Sequence, residues 1–263
     1  MLRMMKTILL LALLSIAVPA HAIDWTAQAS CKGGWLFDES SGNAVDECDT
    51  LNDGTVTGVT YSATGQFGTA FTFAPNDFVE MDGNELGAGD LTFVHWLKTT
   101  STSGAISFGE ANSGGGVNER ALVIFQINNA SGRMTWFVRD LTNSSALVND
   151  STGDMNDGTF HHWAGVADED GNIELFKDGT SVGTAVHPSG SNSFNTTSVG
   201  VLRRGSASNF LTGTIDEPAK FNVLLDSTDI NDILDNGLKG APVASGRRIW
   251  VVKNEQQKEM SYQ

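Results

Sequence analysis

Apolar and β-branched residues occur in short runs along this chain, separated by clusters of Gly, Asn, Asp and Ser, and within several runs apolar and polar positions alternate. A period of two bounded by turn formers predicts strands joined by tight turns. Candidate strands are Gly34–Phe37, Ala70–Phe73, Phe78–Met81, Leu91–Lys98, Ala105–Phe108, Ala121–Ile127, Arg133–Arg139, His161–Asp168, Asn172–Lys177, Ser181–Thr184, Thr197–Leu202 and Gly213–Phe221. So many short strands predict two packed sheets. The stretch from His161 to Thr184 reads as a three-strand meander, with Asp170-Gly171 and Asp178-Gly179 as hairpin turns that tolerate positive φ. One short helix is expected, capped by Ser227 or Thr228, with Ile230, Ile233 and Leu234 on one face and Gly237 as its stop.

The amino-terminal pattern differs. Arg3 and Lys6 precede an apolar run from Ile8 to Val18, and Ala20 and Ala22 flank His21, which predicts a signal peptide over 1–22 with cleavage near Ala22. The run is short of the roughly 20 residues that cross a bilayer. A secreted or periplasmic domain over 23–240 is therefore expected, without membrane insertion. From Pro242 the chain turns basic, with Arg247, Arg248, Lys253 and Lys258, and 241–263 reads as a flexible tail. The net charge is −15, and loss of Arg3 and Lys6 leaves the exported chain more acidic still. That balance excludes nucleic acid and anionic membranes, both of which attract basic patches. The only cysteines, Cys31 and Cys48, can pair after export, closing a loop that contributes about 3 kcal/mol in the chain-entropy model; two free thiols are the alternative.

Five segments carry a family resemblance. Gly34-Trp35-Leu36-Phe37-Asp38-Glu39 with Ser41-Gly42-Asn43, Phe67-Gly68-Thr69-Ala70-Phe71-Thr72-Phe73 with Phe78-Val79-Glu80, and Leu91 to Lys98 come first. Phe160-His161-His162-Trp163-Ala164-Gly165-Val166 running into Leu175-Phe176-Lys177-Asp178-Gly179 is the most specific, and Leu211-Thr212-Gly213-Thr214-Ile215-Asp216-Glu217 closes the series. In this order they resemble the laminin-G-like jelly-roll family of the concanavalin A-like lectin and glucanase fold. The resemblance implies an all-β jelly-roll sandwich of two antiparallel sheets with a short C-terminal helix. Pro218 stands where the family carries a charged residue; lacking an amide, it implies an edge or a bulge there.

Glycan-cleaving relatives place alternating carboxylates on one strand, because an acid and its partner must sit roughly 5 to 9 Å apart. No such alternation occurs; Asp38-Glu39, Asp46-Glu47-Asp49 and Asp168-Glu169-Asp170 are contiguous or in turns and read as solvating groups. Gln126 resembles a lyase glutamine, but Asn128 stands where that site needs a histidine. His161 and His162 must face opposite sides of their strand, one buried and hydrogen-bonded, and His95 reads as a satisfied core histidine. Calcium suits an oxygen-rich site, and the resemblance nominates Asp216 with Asp38 as its ligands. Trp96 alternates away from Phe93, His95 and Leu97; on the outer sheet face it would stack on a sugar or pack against Trp136 or Trp163.

The expected function is non-catalytic recognition of a glycan or an extracellular protein, as in adhesion modules. A glycan hydrolase or lyase and a structural component of a surface layer are the alternatives. Sequons at Asn129, Asn143, Asn149 and Asn195 matter only in a host that glycosylates them.

Overall fold

The computed structural model describes residues 22–240 apart from 49, 84, 85, 87, 88, 103, 113–120, 129–131, 154, 191 and 205. Most of the leader, the tail over 241–263 and Asn129 thus lie outside the described residues. In chain order the strands are β1 Cys31–Gly34, β2 Thr55–Thr57, β3 Thr60–Thr64, β4 Thr69–Phe73, β5 Phe78–Asp82 and β6 Leu91–Lys98. They continue as β7 Ile106–Ala111, β8 Leu122–Ile127, β9 Met134–Arg139, β10 Ser145–Asn149, β11 Phe160–Ala167 and β12 Asn172–Lys177. β13 Thr180–Val186, β14 Thr196–Val199, β15 Leu202–Arg204, β16 Ser206–Ser208 and β17 Gly213–Phe221 precede the helix α1, Ser227–Asn236. An eight-stranded sheet runs β13-β12-β11-β6-β17-β4-β3 with β1 on β17; a seven-stranded sheet runs β10-β9-β8-β7-β14-β5-β2. All pairings are antiparallel, and β15 and β16 form a separate hairpin. The architecture is the jelly-roll sandwich that the sequence leads one to expect.

The alternation on β6 explains the layering. Leu91, Phe93 and Leu97 enter the core between the sheets with Trp35, Phe108, Phe125, Trp136 and Trp163. The opposite face is also apolar: Val94, Ala164, Val166, Phe176, Ala219 and Phe221 pack beneath Ile230 and Ile233 of α1 and beneath Trp25. Strands buried on both faces read as continuous apolar runs, which is why β6 is buried throughout except at Lys98. Among the described residues no helix is long and apolar enough to cross a membrane.

Several local expectations are corrected. The cap of α1 is Asp226, whose carboxylate accepts the Thr228 and Asp229 amides while Asp229 reaches back to its backbone. Asp178 and Gly179 take positive φ, 48° and 74°, as a type I′ turn demands, but Asp170 and Gly171 do not. There the Asp168 carboxylate accepts the Asp170 amide and shapes the turn instead. The first strand ends at Gly34, since Trp35 makes only an isolated bridge to Asp46 and Phe37 takes φ 58°. Asp46 is no solvating group: buried, it accepts amides from Gly34, Cys48 and Asn52 and the Thr50 hydroxyl. His95 is buried as expected but not hydrogen-bonded; its ring lies 4.6 Å from Phe125, and both nitrogens lack a partner. The same holds for both ring nitrogens of buried His162.

Candidate functional site

The closing strand builds the site. β17 is central rather than an edge, and it bulges between Asp216 and Ala219, where Pro218 has no amide for the ladder. Glu217 occupies the bulge at φ 46°, a left-handed conformation that moves its side chain off the regular strand alternation. Glu217 consequently lines a cleft of about 420 Å³ with Leu36, Asp38, Gln66, Phe67 and Lys239 among others, and the Asp216 carboxyl lies close enough to act on its charge.

Each carboxylate also anchors backbone. Asp216 is fully buried, and its Oδ2 accepts the amides of Gln66 and Phe67 at 2.7 and 2.9 Å, pinning the β3–β4 turn. Gly65 is required there, because a Cβ would stand 2.6 Å from that oxygen. Asp38, exposed, holds the same turn from its other side by accepting the Thr69 amide at 2.6 Å. Glu217 Oε2 accepts the Leu238 amide at 3.0 Å, tying the segment after α1 to the closing strand. Asp216 Oδ1 is buried without a hydrogen-bond partner.

Burial dominates the electrostatics. Desolvation pushes the Asp216 carboxyl up to about 7 against the pull of its amide donors, and the Asp38 charge adds to the rise. Glu217 is pushed up to about 8 by burial, with the Asp216 charge beside it. Hard oxygen donors, one of them orphaned in a buried position, fit a divalent cation such as calcium. Among the described residues, however, no three His, Cys, Asp or Glu side chains group at metal-ligand spacing. Backbone carbonyls and water would have to complete any coordination shell.

The nominated residues converge. Trp96 is the cross-strand partner of Asp216, and its ring meets Phe67 edge-on at 6.2 Å and His162 at 5.1 Å. Trp96 is only 5% exposed, and its neighbours are these two rings rather than Trp136 or Trp163. Cys31 and Cys48 are disulfide-bonded with Cα atoms 5.8 Å apart. Gln126 lies half-buried on the outer face of the seven-stranded sheet, in register with Thr135 and Ile106, neither of which can act as a base.

A second cleft was not anticipated from sequence. It opens on the outer face of the seven-stranded sheet at β2 and β5, measures about 460 Å³ and is lined by Asn52, Asp53, Thr55, Phe78, Glu80 and Asp82 among others. The alternation of Phe78, Glu80 and Asp82 on β5 is its one sequence signal, since positions two apart share a face.

No curated protein matches the chain. Among solved structures it is similar to domain 4 of AbnA, a GH43 extracellular arabinanase from Geobacillus stearothermophilus, solved in complex with arabinotriose. The TM-score is 0.61 at 16% identity, covering 78% of this chain and 98% of that one. The binding domain of botulinum neurotoxin DC, in complex with SialylT, aligns at TM-score 0.60 and 14% identity over 78% of this chain. The ligand-binding domain of botulinum neurotoxin serotype D, with N-acetylneuraminic acid, aligns at 0.56 and 15%, again over 78%. The chain spans about half the length of these toxin structures, 51% and 50%. A laminin-G family model matches residues 73–231, and the chain therefore belongs to the concanavalin A-like lectin/glucanases superfamily.

Proposed function

We propose that the protein is an exported, non-catalytic carbohydrate-binding domain. The observation that carries this reading is that the chain matches nearly the whole of one domain of an extracellular arabinanase, solved in complex with arabinotriose. The toxin binding domains with sialylated ligands support it, and the Cys31–Cys48 bond accords with an oxidising compartment. Calcium is proposed as a structural ion held by Asp216 and Asp38, with Glu217 beside them; it would supply a positive counter-charge to those carboxylates. An extracellular protein partner is the second reading, kept from the sequence expectation alone.

Titration calorimetry of the oxidised protein against a panel of neutral and sialylated oligosaccharides tests the proposal, with product analysis of the same mixtures. Binding without any change in the saccharide is expected. Cleavage of a bound glycan would establish an enzyme instead, and absence of binding across the panel would leave the protein partner.

A further inference from the structure

We propose that the cleft between β2 and β5 is the saccharide subsite and that it takes neutral rather than anionic glycan units. This rests on the carbohydrate-binding reading above and gives it a place and a ligand class.

The cleft lies within the roughly 300 to 1,000 Å³ range of small-ligand sites. Its polar lining combines the acceptor carboxylates of Asp53, Glu80 and Asp82 with threonine hydroxyls that can donate or accept. Asp82 and Thr55 present exposed side chains that no described residue engages. Asp53 uses one oxygen on the Asp46 amide, and Glu80 is held by Arg203 at 2.6 Å. The scaffold is rigid at the decisive residue: the Asn52 side chain brackets the backbone of Asp82, donating to its carbonyl at 2.7 Å and accepting its amide at 3.0 Å. Phe78 supplies an apolar ring, half-buried, with the Arg203 guanidinium over the ring at 5.4 Å and the Phe210 ring tilted against it at 6.4 Å.

Carboxylates accept strong, charge-assisted hydrogen bonds from hydroxyl groups, and an aromatic ring covers the C–H face of a pyranose or furanose. Every tryptophan in the described residues is buried, so half-buried rings such as those of Tyr61 and Phe78 are the aromatic surface left for stacking, and of these two Phe78 lines the cleft. Charge then selects among sugars. Asp53, Glu80 and Asp82 face the cleft, and the Arg203 guanidinium is paired with Glu80. An anionic sugar would bring a like charge against this wall in an already acidic protein, whereas a neutral one brings no charge and can donate its hydroxyl hydrogens to the carboxylates.

The test is titration calorimetry of the full exported chain with arabinotriose, lactose, cellotriose and laminaritriose, and with 3′-sialyllactose for comparison with lactose. Variants are Asp82→Ala and Phe78→Leu, with Gln126→Ala, three strands away from β5 on the same sheet face, as control, each checked for folding by its thermal melt. At least one neutral oligosaccharide should bind. Its affinity should fall about tenfold or more in Asp82→Ala and Phe78→Leu and hold in Gln126→Ala, and sialyllactose should bind about tenfold more weakly than lactose or not at all. Neutral binding retained by both cleft variants overturns the location while leaving the carbohydrate reading intact. A preference for sialyllactose overturns the ligand class alone. A wild-type protein that binds no saccharide overturns the carbohydrate reading and this inference together.

Discussion

Lys220 and Glu110 meet in the middle of the sandwich with neither side chain exposed, Nζ to Oε1 at 2.6 Å, and Lys220 also donates to the Thr197 hydroxyl at 2.9 Å. The pair links β17 of one sheet to β7 of the other, and neither residue's surroundings in sequence reveal it: 110 residues separate them. Removing one partner leaves a buried charge. Lys220→Met should therefore cost about 3–5 kcal/mol in urea denaturation, while Lys220→Met with Glu110→Leu should recover most of that loss. A double variant as unstable as the single one would show that packing, not the orphaned charge, sets the cost. Asp216 and Glu217 make a different prediction. Their carboxyls rise to about 7 and about 8 in the folded protein, so between the ordinary carboxylate range and those values the native state holds more protons than the unfolded state. Stability contributed this way is complete below about pH 4 and is lost as pH rises through 7 and 8. His162, lowered to about 4 by burial, and His95, lowered well below its usual value by burial, act oppositely. Their native states resist protonation, so stability falls as pH drops below about 6.5. The two effects overlap at lower pH, leaving pH 6.5 to 8 to the carboxylates alone. The melting temperature should fall across that interval, and Asp216→Asn should flatten the fall; an unchanged slope in the variant would remove Asp216 as its source.

The elements that the sequence reveals are those with apolar alternation or two-sided burial. β6, β12 and β17 lie where their patterns predict, and the β12–β13 turn follows from Asp178-Gly179. The strands it hides are thin in apolar residues: β2 is Thr-Val-Thr, β3 is Thr-Tyr-Ser-Ala-Thr, and both sit at sheet edges, where half the surface is solvent. β10, also an edge, alternates exposed and buried positions but carries only Ala146, Leu147 and Val148 between polar ends. The site was legible to the same degree. Asp216 and Asp38 could be nominated from the closing and opening motifs and Trp96 from the alternation along β6, but the left-handed Glu217 and the pinned β3–β4 turn arise from pairings distant in sequence. The cap of α1 illustrates local ambiguity: Asp226, Ser227 and Thr228 can all cap, and the capping box with Asp229 selects the first. Asp226→Ala should cost about 1 kcal/mol, read as a shift of the urea midpoint with unchanged slope. Because α1 covers Phe176, Ala219 and Phe221, a larger loss with a changed slope would mean that the helix unfolds separately from the sandwich.

At the scale of the molecule, charge is the dominant feature outside the core. With 31 acidic against 16 basic residues, and Lys220 spent inside the sandwich, the surface repels itself. Such repulsion reaches about 30 Å at 0.01 M salt and about 8 Å at 0.15 M, so sodium chloride over this interval should raise the melting temperature by several degrees. A protein of this length shifts about 2–4 °C per kcal/mol, which makes even modest relief measurable. Screening depends on ionic strength and not on which cation supplies it. Choline chloride should match sodium chloride, and calcium chloride at equal ionic strength should exceed both only if the ion binds the native state, where mass action adds its own stabilisation. The excess should vanish in Asp216→Asn if the closing-strand cleft holds the ion, because the buried, unpartnered Oδ1 is the donor lost with that change. Equal melts in all three salts would assign the entire effect to long-range repulsion and remove the closing-strand cleft as a calcium site.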